Sequence, residues 1–66
     1  MPTIRLTVPK DSWSKEEKGE IVTKLTDGLD EVAKASPGKG DIKRYINVHI
    51  EETAEGGYAM GGQVVG

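Results

Sequence analysis

The stretch SKEEKGEIVTKLTDGLDEVAKAS, residues Ser14–Ser36, decides how this chain folds. Ser14 followed three residues later by Glu17 reads as a capping box, in which each side chain takes the other residue's backbone N–H at the start of a helix. Beyond it Ile21, Val22, Leu25, Leu29, Val32 and Ala33 recur at spacings of three and four, the apolar stripe of an amphipathic helix. Glu20–Lys24 and Asp30–Lys34 stand four apart in the favourable order and are expected on the solvent side. Gly19 and Gly28 each weaken a helix by about 1 kcal/mol relative to Ala, which makes them candidates for close backbone packing. Pro37 ends the helix near Ser36, because proline disfavours helical geometry in the residue before it.

Working outward, both flanks of this helix read as strands. Residues Thr3 to Val8 alternate, with Ile4, Leu6 and Val8 on one face and Thr3, Arg5 and Thr7 on the other, and Pro9 stops the run. After the turn-rich loop Ser36–Asp41, a second alternation runs from Tyr45 to Ile50, with Ile46, Val48 and Ile50 opposed to Tyr45, Asn47 and His49. Two strands separated by a helix of about five turns cannot form a hairpin; they fit a βαβ unit with parallel strands. The chain then becomes glycine-dense, with Gly56, Gly57, Gly61 and Gly62 close together, and Gln63-Val64-Val65 is short enough to pair at a sheet edge. The expected fold is therefore α/β: residues 1–66 as one domain, with parallel strands, one long helix and a glycine-rich C-terminal hairpin.

Composition adds a constraint. A chain of 66 residues with 35% apolar residues, one Trp, two Tyr and no Phe hides only about 60% of its unfolded surface on folding. Proteins this small usually add disulfides, a structural metal or oligomerisation. With no cysteine and a single histidine, His49, neither a disulfide nor a zinc site with about four N/S ligands is available. A two-stranded sheet under one helix also leaves edges and a face uncovered, so an oligomer is expected. No apolar run approaches the roughly 18 residues of a membrane span and no leader is recognised, so the expected setting is the cytoplasm, away from membranes. A net charge of −2 argues against a nucleic-acid partner, and Lys39, Lys43 and Arg44 read as a solvated loop edge.

Ordinary catalytic groups are nearly absent. No Gly-x-Ser-x-Gly elbow occurs, and the glycine cluster lacks the Gly-Lys-Ser/Thr of a phosphate loop. Adjacent Glu51 and Glu52 point to opposite faces of a strand, and His49 reads as a polar strand residue. Pro2 is different. Removal of Met1 leaves a secondary amine, and an apolar pocket near cationic groups lowers its pKa by disfavouring the protonated form. Such an amine is a general base or nucleophile near neutral pH.

On these residues the sequence resembles the 4-oxalocrotonate tautomerase family along essentially its whole length. The resemblance lies in Met-Pro-Thr-Ile at the start, Ser-Lys-Glu-Glu-Lys at the helix start, the strand Tyr45–Ile50, and Glu-Thr-Ala-Glu-Gly-Gly-Tyr-Ala-Met-Gly-Gly-Gln from Glu52 to Gln63. It implies a βαβ protomer, dimers joining sheets, homohexamers with sites between subunits, and cofactor-independent proton transfer on a small anionic 2-oxo acid or dienol with Pro2 as the base. It also implies Tyr58 as the aromatic wall of the pocket. Where the family carries two substrate-binding arginines this chain has Ser12 (or the neighbourhood of Trp13 if the loop is longer) and Asn47, with Lys10 as the nearest cation to the first position. Arg44, three residues before Asn47, is expected on the opposite strand face. Asn47 is then expected to orient the substrate, with Arg5 or Lys10 supplying positive charge. An asparagine in the second position is similar to the proline-bearing subunit of the heterohexameric trans-3-chloroacrylic acid dehalogenases, which implies the alternative of a hydratase or dehalogenase-like member acting with a related second subunit. A non-catalytic assembly module of the family is the third reading.

Overall fold

Two strands far apart in sequence lie side by side in the computed structural model, which describes Met1–Gly66. β1 (Thr3–Val8) and β2 (Asn47–Glu52) pair in parallel over six rungs, from Thr3 opposite Asn47 to Val8 opposite Glu52. Backbone bonds extend the ladder past both ends: Asn47 N–H donates to the Pro2 carbonyl and Thr53 N–H to the Val8 carbonyl, each at 3.0 Å. The alternation works as expected. Ile4, Leu6, Val48 and Ile50 are half-buried, Val8 is buried, and Thr3, Arg5, Thr7, Asn47, His49 and Glu51 are exposed on the open face.

β2 differs from expectation at its start. Lys43–Tyr45 form a 3-10 turn, closed by Tyr45 N–H to Ile42 O at 2.8 Å and Ile46 N–H to Lys43 O at 3.1 Å. Tyr45 and Ile46 thus precede the strand, and Arg44 lies on the turn and not on a strand face. The cause is on the other strand: proline offers no ladder donor, so pairing cannot extend N-terminally past Pro2, and β2 begins where β1 gives it a partner. At its far end β2 runs on to Glu52 because β1 continues to Val8.

The connecting helix α1 spans Lys15–Ala35, and its capping box is present: Glu17 N–H donates to Ser14 Oγ at 3.1 Å and Ser14 N–H to Glu17 Oε1 at 2.9 Å. Its C-cap is Ser36, immediately before Pro37. Ile21, Leu25 and Leu29 are half-buried and Ala33 is buried, whereas Val22 and Val32 leave the stripe at 37% and 62% exposure. Asp30 departs furthest from expectation, being only 5% exposed. The 3-10 turn packs against α1, with Lys43 Nζ 3.2 Å from Asp27 Oδ1. Asp30 Oδ2 lies 3.1 Å from Lys34 Nζ, which raises the Lys34 pKa, while Oδ1 has no partner. Gly19 and Gly28 face open space, so neither serves close packing within the chain.

The C-terminal hairpin forms from β3 (Ala59–Met60) and β4 (Gln63–Val64), antiparallel and separate from the main sheet. Gln63 and Val64 therefore pair with their own hairpin and not with the main sheet edge. Gly61 and Gly62 both have positive φ, 58° and 84°, the requirement of a tight two-residue hairpin turn. Gly57 is confined differently: a Cβ there would fall 2.9 Å from the Ala54 carbonyl oxygen, which already accepts the Gly57 N–H.

One polar latch ties α1 to the C-terminal end of the main sheet. Glu52 Oε2 lies 3.0 Å from Lys18 Nζ and accepts the Asp11 backbone N–H at 3.2 Å. The Lys18 ammonium holds the Glu52 carboxyl below its ordinary pKa. The latch accordingly stabilises the fold in full above the unfolded carboxylate pKa, about 4.3, and is lost as pH falls through the depressed folded value. Glu52→Gln should melt at a lower temperature than the parent near neutral pH, and the two curves should converge as the pH drops below about 4, read by circular dichroism at fixed protein concentration. Ser14→Ala removes the cap and should cost about 1 kcal/mol in denaturant unfolding, with no pH dependence of its own.

Candidate functional site

Pro2 and Asn47 meet at the N-terminal end of the main sheet. The bond from Asn47 N–H to Pro2 O fixes the backbone of both residues, and Asn47 Nδ2 donates to the Tyr45 carbonyl at 3.1 Å, orienting the amide. Pro2 is half-buried, while Met1 before it is 88% exposed. With Met1 attached the Pro2 nitrogen is an amide without basicity; once Met1 is cleaved it becomes an amine at the end of a hydrogen-bonded strand.

The turn entering β2 brings a cation to this end that helical and strand periodicity missed. Arg44 precedes Asn47 by three residues, so their Cα atoms lie within about 11 Å. Its guanidinium stacks 4.8 Å from the centroid of the Tyr45 ring, a contact that holds the charge without neutralising it. Neighbouring Lys43 is engaged with Asp27, whereas Arg44 takes part in none of the four ion pairs. Lys43 and Arg44 were read as a solvated loop edge before a strand starting at Tyr45; the structure makes Lys43–Tyr45 a 3-10 turn.

Arg5 occupies the middle of the open sheet face, in register with His49 and 3.9 Å from Glu51 Oε1. Both side chains of that pair are largely exposed, so the attraction is weak and Arg5 remains available to another anion. Lys10 and Tyr58 lie elsewhere. Lys10 follows β1 at its C-terminal end, near the Glu52 carboxylate. Tyr58 starts the hairpin, where its carbonyl accepts the Val65 N–H at 2.7 Å and its N–H reaches the Gly66 carbonyl at 3.5 Å. Gly66 in turn lies against Pro9, as a Cβ placed on it would be 2.6 Å from the Pro9 Cβ.

The residues singled out by sequence thus sort into two groups at opposite ends of β1. A six-residue strand is about 20 Å long, too far for Pro2 and Asn47 to share a small substrate with Lys10 and Tyr58 of the same chain. The shallow grooves on the surface are lined by helix residues and Trp13, away from Pro2. At the Pro2 end the structure brings together the Pro2 backbone and the Asn47 amide, with Arg44 on the turn three residues before Asn47. No helix is long and apolar enough to cross a membrane. No family model, curated protein or solved structure matches this chain.

Proposed function

We propose that this chain is a tautomerase that moves a proton between carbon or oxygen positions of a small 2-oxo acid, enol or dienol. The observation that carries the reading is the anchoring of Pro2 beside Asn47, with Met1 exposed ahead of it. After Met1 removal the proline amine takes a proton from one position of the substrate and returns it to another, so no redox change or leaving group is involved. Arg44 attracts the substrate carboxylate and polarises its 2-oxo group, and the Asn47 amide hydrogen-bonds the same oxygens. An asparagine gives no charge, so the anion depends on Arg44 and on Arg5 more than on a bidentate clamp at that position.

Lys10 and Tyr58 enter this scheme from a second copy. Their position some 20 Å from Pro2 supports a homo-oligomer, in the extreme a hexamer, in which the hairpin end of one protomer meets the proline end of another. The same separation also supports the second reading, in which a related but distinct chain supplies cations and a water-activating carboxylate for hydration or dehalogenation. A chain that assembles without catalysis is the outcome if neither activity is found.

The test begins with the mass of the purified protein, expected to lack Met1. Turnover of phenylenolpyruvate or 2-hydroxymuconate should then fall by about 100-fold or more in Pro2→Ala, in line with the loss of a positioned general base. Equal turnover in that variant, or activity in protein that retains Met1, rules out the proline mechanism. Arg44→Gln should raise KM for the anionic substrate by about tenfold with a smaller change in kcat, and an unchanged KM removes Arg44 from the site.

A further inference from the structure

The turn between β1 and α1 holds a backbone orientation that its own residues do not favour. Pro9, Lys10, Asp11 and Ser12 form it, closed by Ser12 N–H to the Pro9 carbonyl at 3.3 Å and by Ser12 Oγ to the same oxygen at 2.7 Å. Asp11 has a φ of 58° and is the one non-glycine residue of the chain with positive φ. Positive φ at the third position alone makes this a type II turn, which favours glycine or asparagine there. A type I turn closes with the same hydrogen bond and accepts most residues. The two differ in the plane of a single peptide, Lys10–Asp11, whose N–H points to opposite sides in them. Here that N–H donates to Glu52 Oε2 at 3.2 Å.

We infer that Glu52 sets this turn: its carboxylate holds the Lys10–Asp11 peptide in the type II orientation and through it positions Lys10. The surroundings confine the choice to that one peptide. Before the turn, the Val8 carbonyl accepts the Thr53 N–H at 3.0 Å, and Pro9 is backed by Gly66, where a Cβ would stand 2.6 Å from the Pro9 Cβ. After it, the capping box fixes Ser14. Both ends are therefore held whichever way the peptide faces. Glu52 is placed by the strand ladder, opposite Val8, and steadied by Lys18 Nζ at 3.0 Å, so the acceptor is fixed independently of the turn. Lys10 takes part in none of the four ion pairs of the chain. Its direction comes instead from the torsion that a flip would change, a ψ of about +120° in type II against about −30° in type I.

That Lys10 then serves an anionic substrate rests on the function proposed above; the state of the turn does not, and it is read without substrate. In type II geometry the Lys10 Hα lies against the Asp11 amide proton, whereas in type I the amide protons of the two residues lie together. Nuclear Overhauser effects in the labelled full chain separate the two patterns. The parent, Glu52→Gln and Lys18→Met should all show the first, because each keeps an oxygen acceptor for the Asp11 N–H. Glu52→Met, of similar length but without that acceptor, should show the second. Glu52→Met/Asp11→Gly should return to the first, because glycine takes positive φ unaided. Glu52→Ala replaces the methionine variant if that one does not fold. The first pattern in Glu52→Met or Glu52→Ala, or the second in Glu52→Gln, overturns the control of the turn by Glu52. With phenylenolpyruvate, Glu52→Met should raise KM about tenfold at unchanged kcat, as should Lys10→Gln, with no further rise when the two are combined. Adding Asp11→Gly to Glu52→Met should restore KM. A flipped turn with unchanged KM, or KM increases that add, overturns the positioning of Lys10. A parent chain without turnover overturns the tautomerase reading, while the Overhauser pattern alone still decides whether Glu52 sets the turn.

Discussion

The parallel ladder between β1 and β2 is the constraint from which the rest of this molecule follows. Parallel strands cannot be joined by a tight turn, so the helix between them must travel back along the sheet, and its length and caps are matched to that journey. The ladder also sets which residues become neighbours. It puts Asn47 beside Pro2 at one end and Glu52 beside Val8 at the other, and the loops at those ends inherit their company from it. The turn Lys43–Tyr45 sits near Pro2 for no local reason; it is where β2 must start.

What the sequence revealed, and what it concealed, divides along the range of the forces involved. β1, the capping box at Ser14 and the stop at Pro37 were legible because each is decided by residues within a few positions of one another. The start of β2 was not, because it is decided by the missing N–H of a proline on the other strand. Asp30 looked like half of a surface pair with Lys34, and its burial depends on the folded packing of α1, which local sequence does not reveal. Arg44 was expected on a strand face and lies on the 3-10 turn instead. The distance between the proline end and Tyr58 is a property of the register and has no local signature.

Within one chain the core is slight. Val8 and Ala33 are the only buried apolar residues, and the molecule is drawn out to 44 × 26 × 16 Å. Apolar burial is the main favourable term in folding, at about 25 cal/mol per Å², and here most of the apolar side chains are only half withdrawn from water. With so slight a core, the homo-oligomer proposed above would add apolar burial that one chain lacks.

The bond between Asn47 N–H and the Pro2 carbonyl has a consequence for maturation. It engages the carbonyl of Pro2 and leaves its nitrogen outside the ladder, and Met1 contributes no backbone bond to either strand. Cleavage between Met1 and Pro2 thus changes the chemistry of the terminus without changing a single hydrogen bond of the sheet. A chain with Met1 and one without it would have the same ladder to maintain and would differ only in their terminal amine, the primary amine of Met1 in one and the secondary amine of Pro2 in the other.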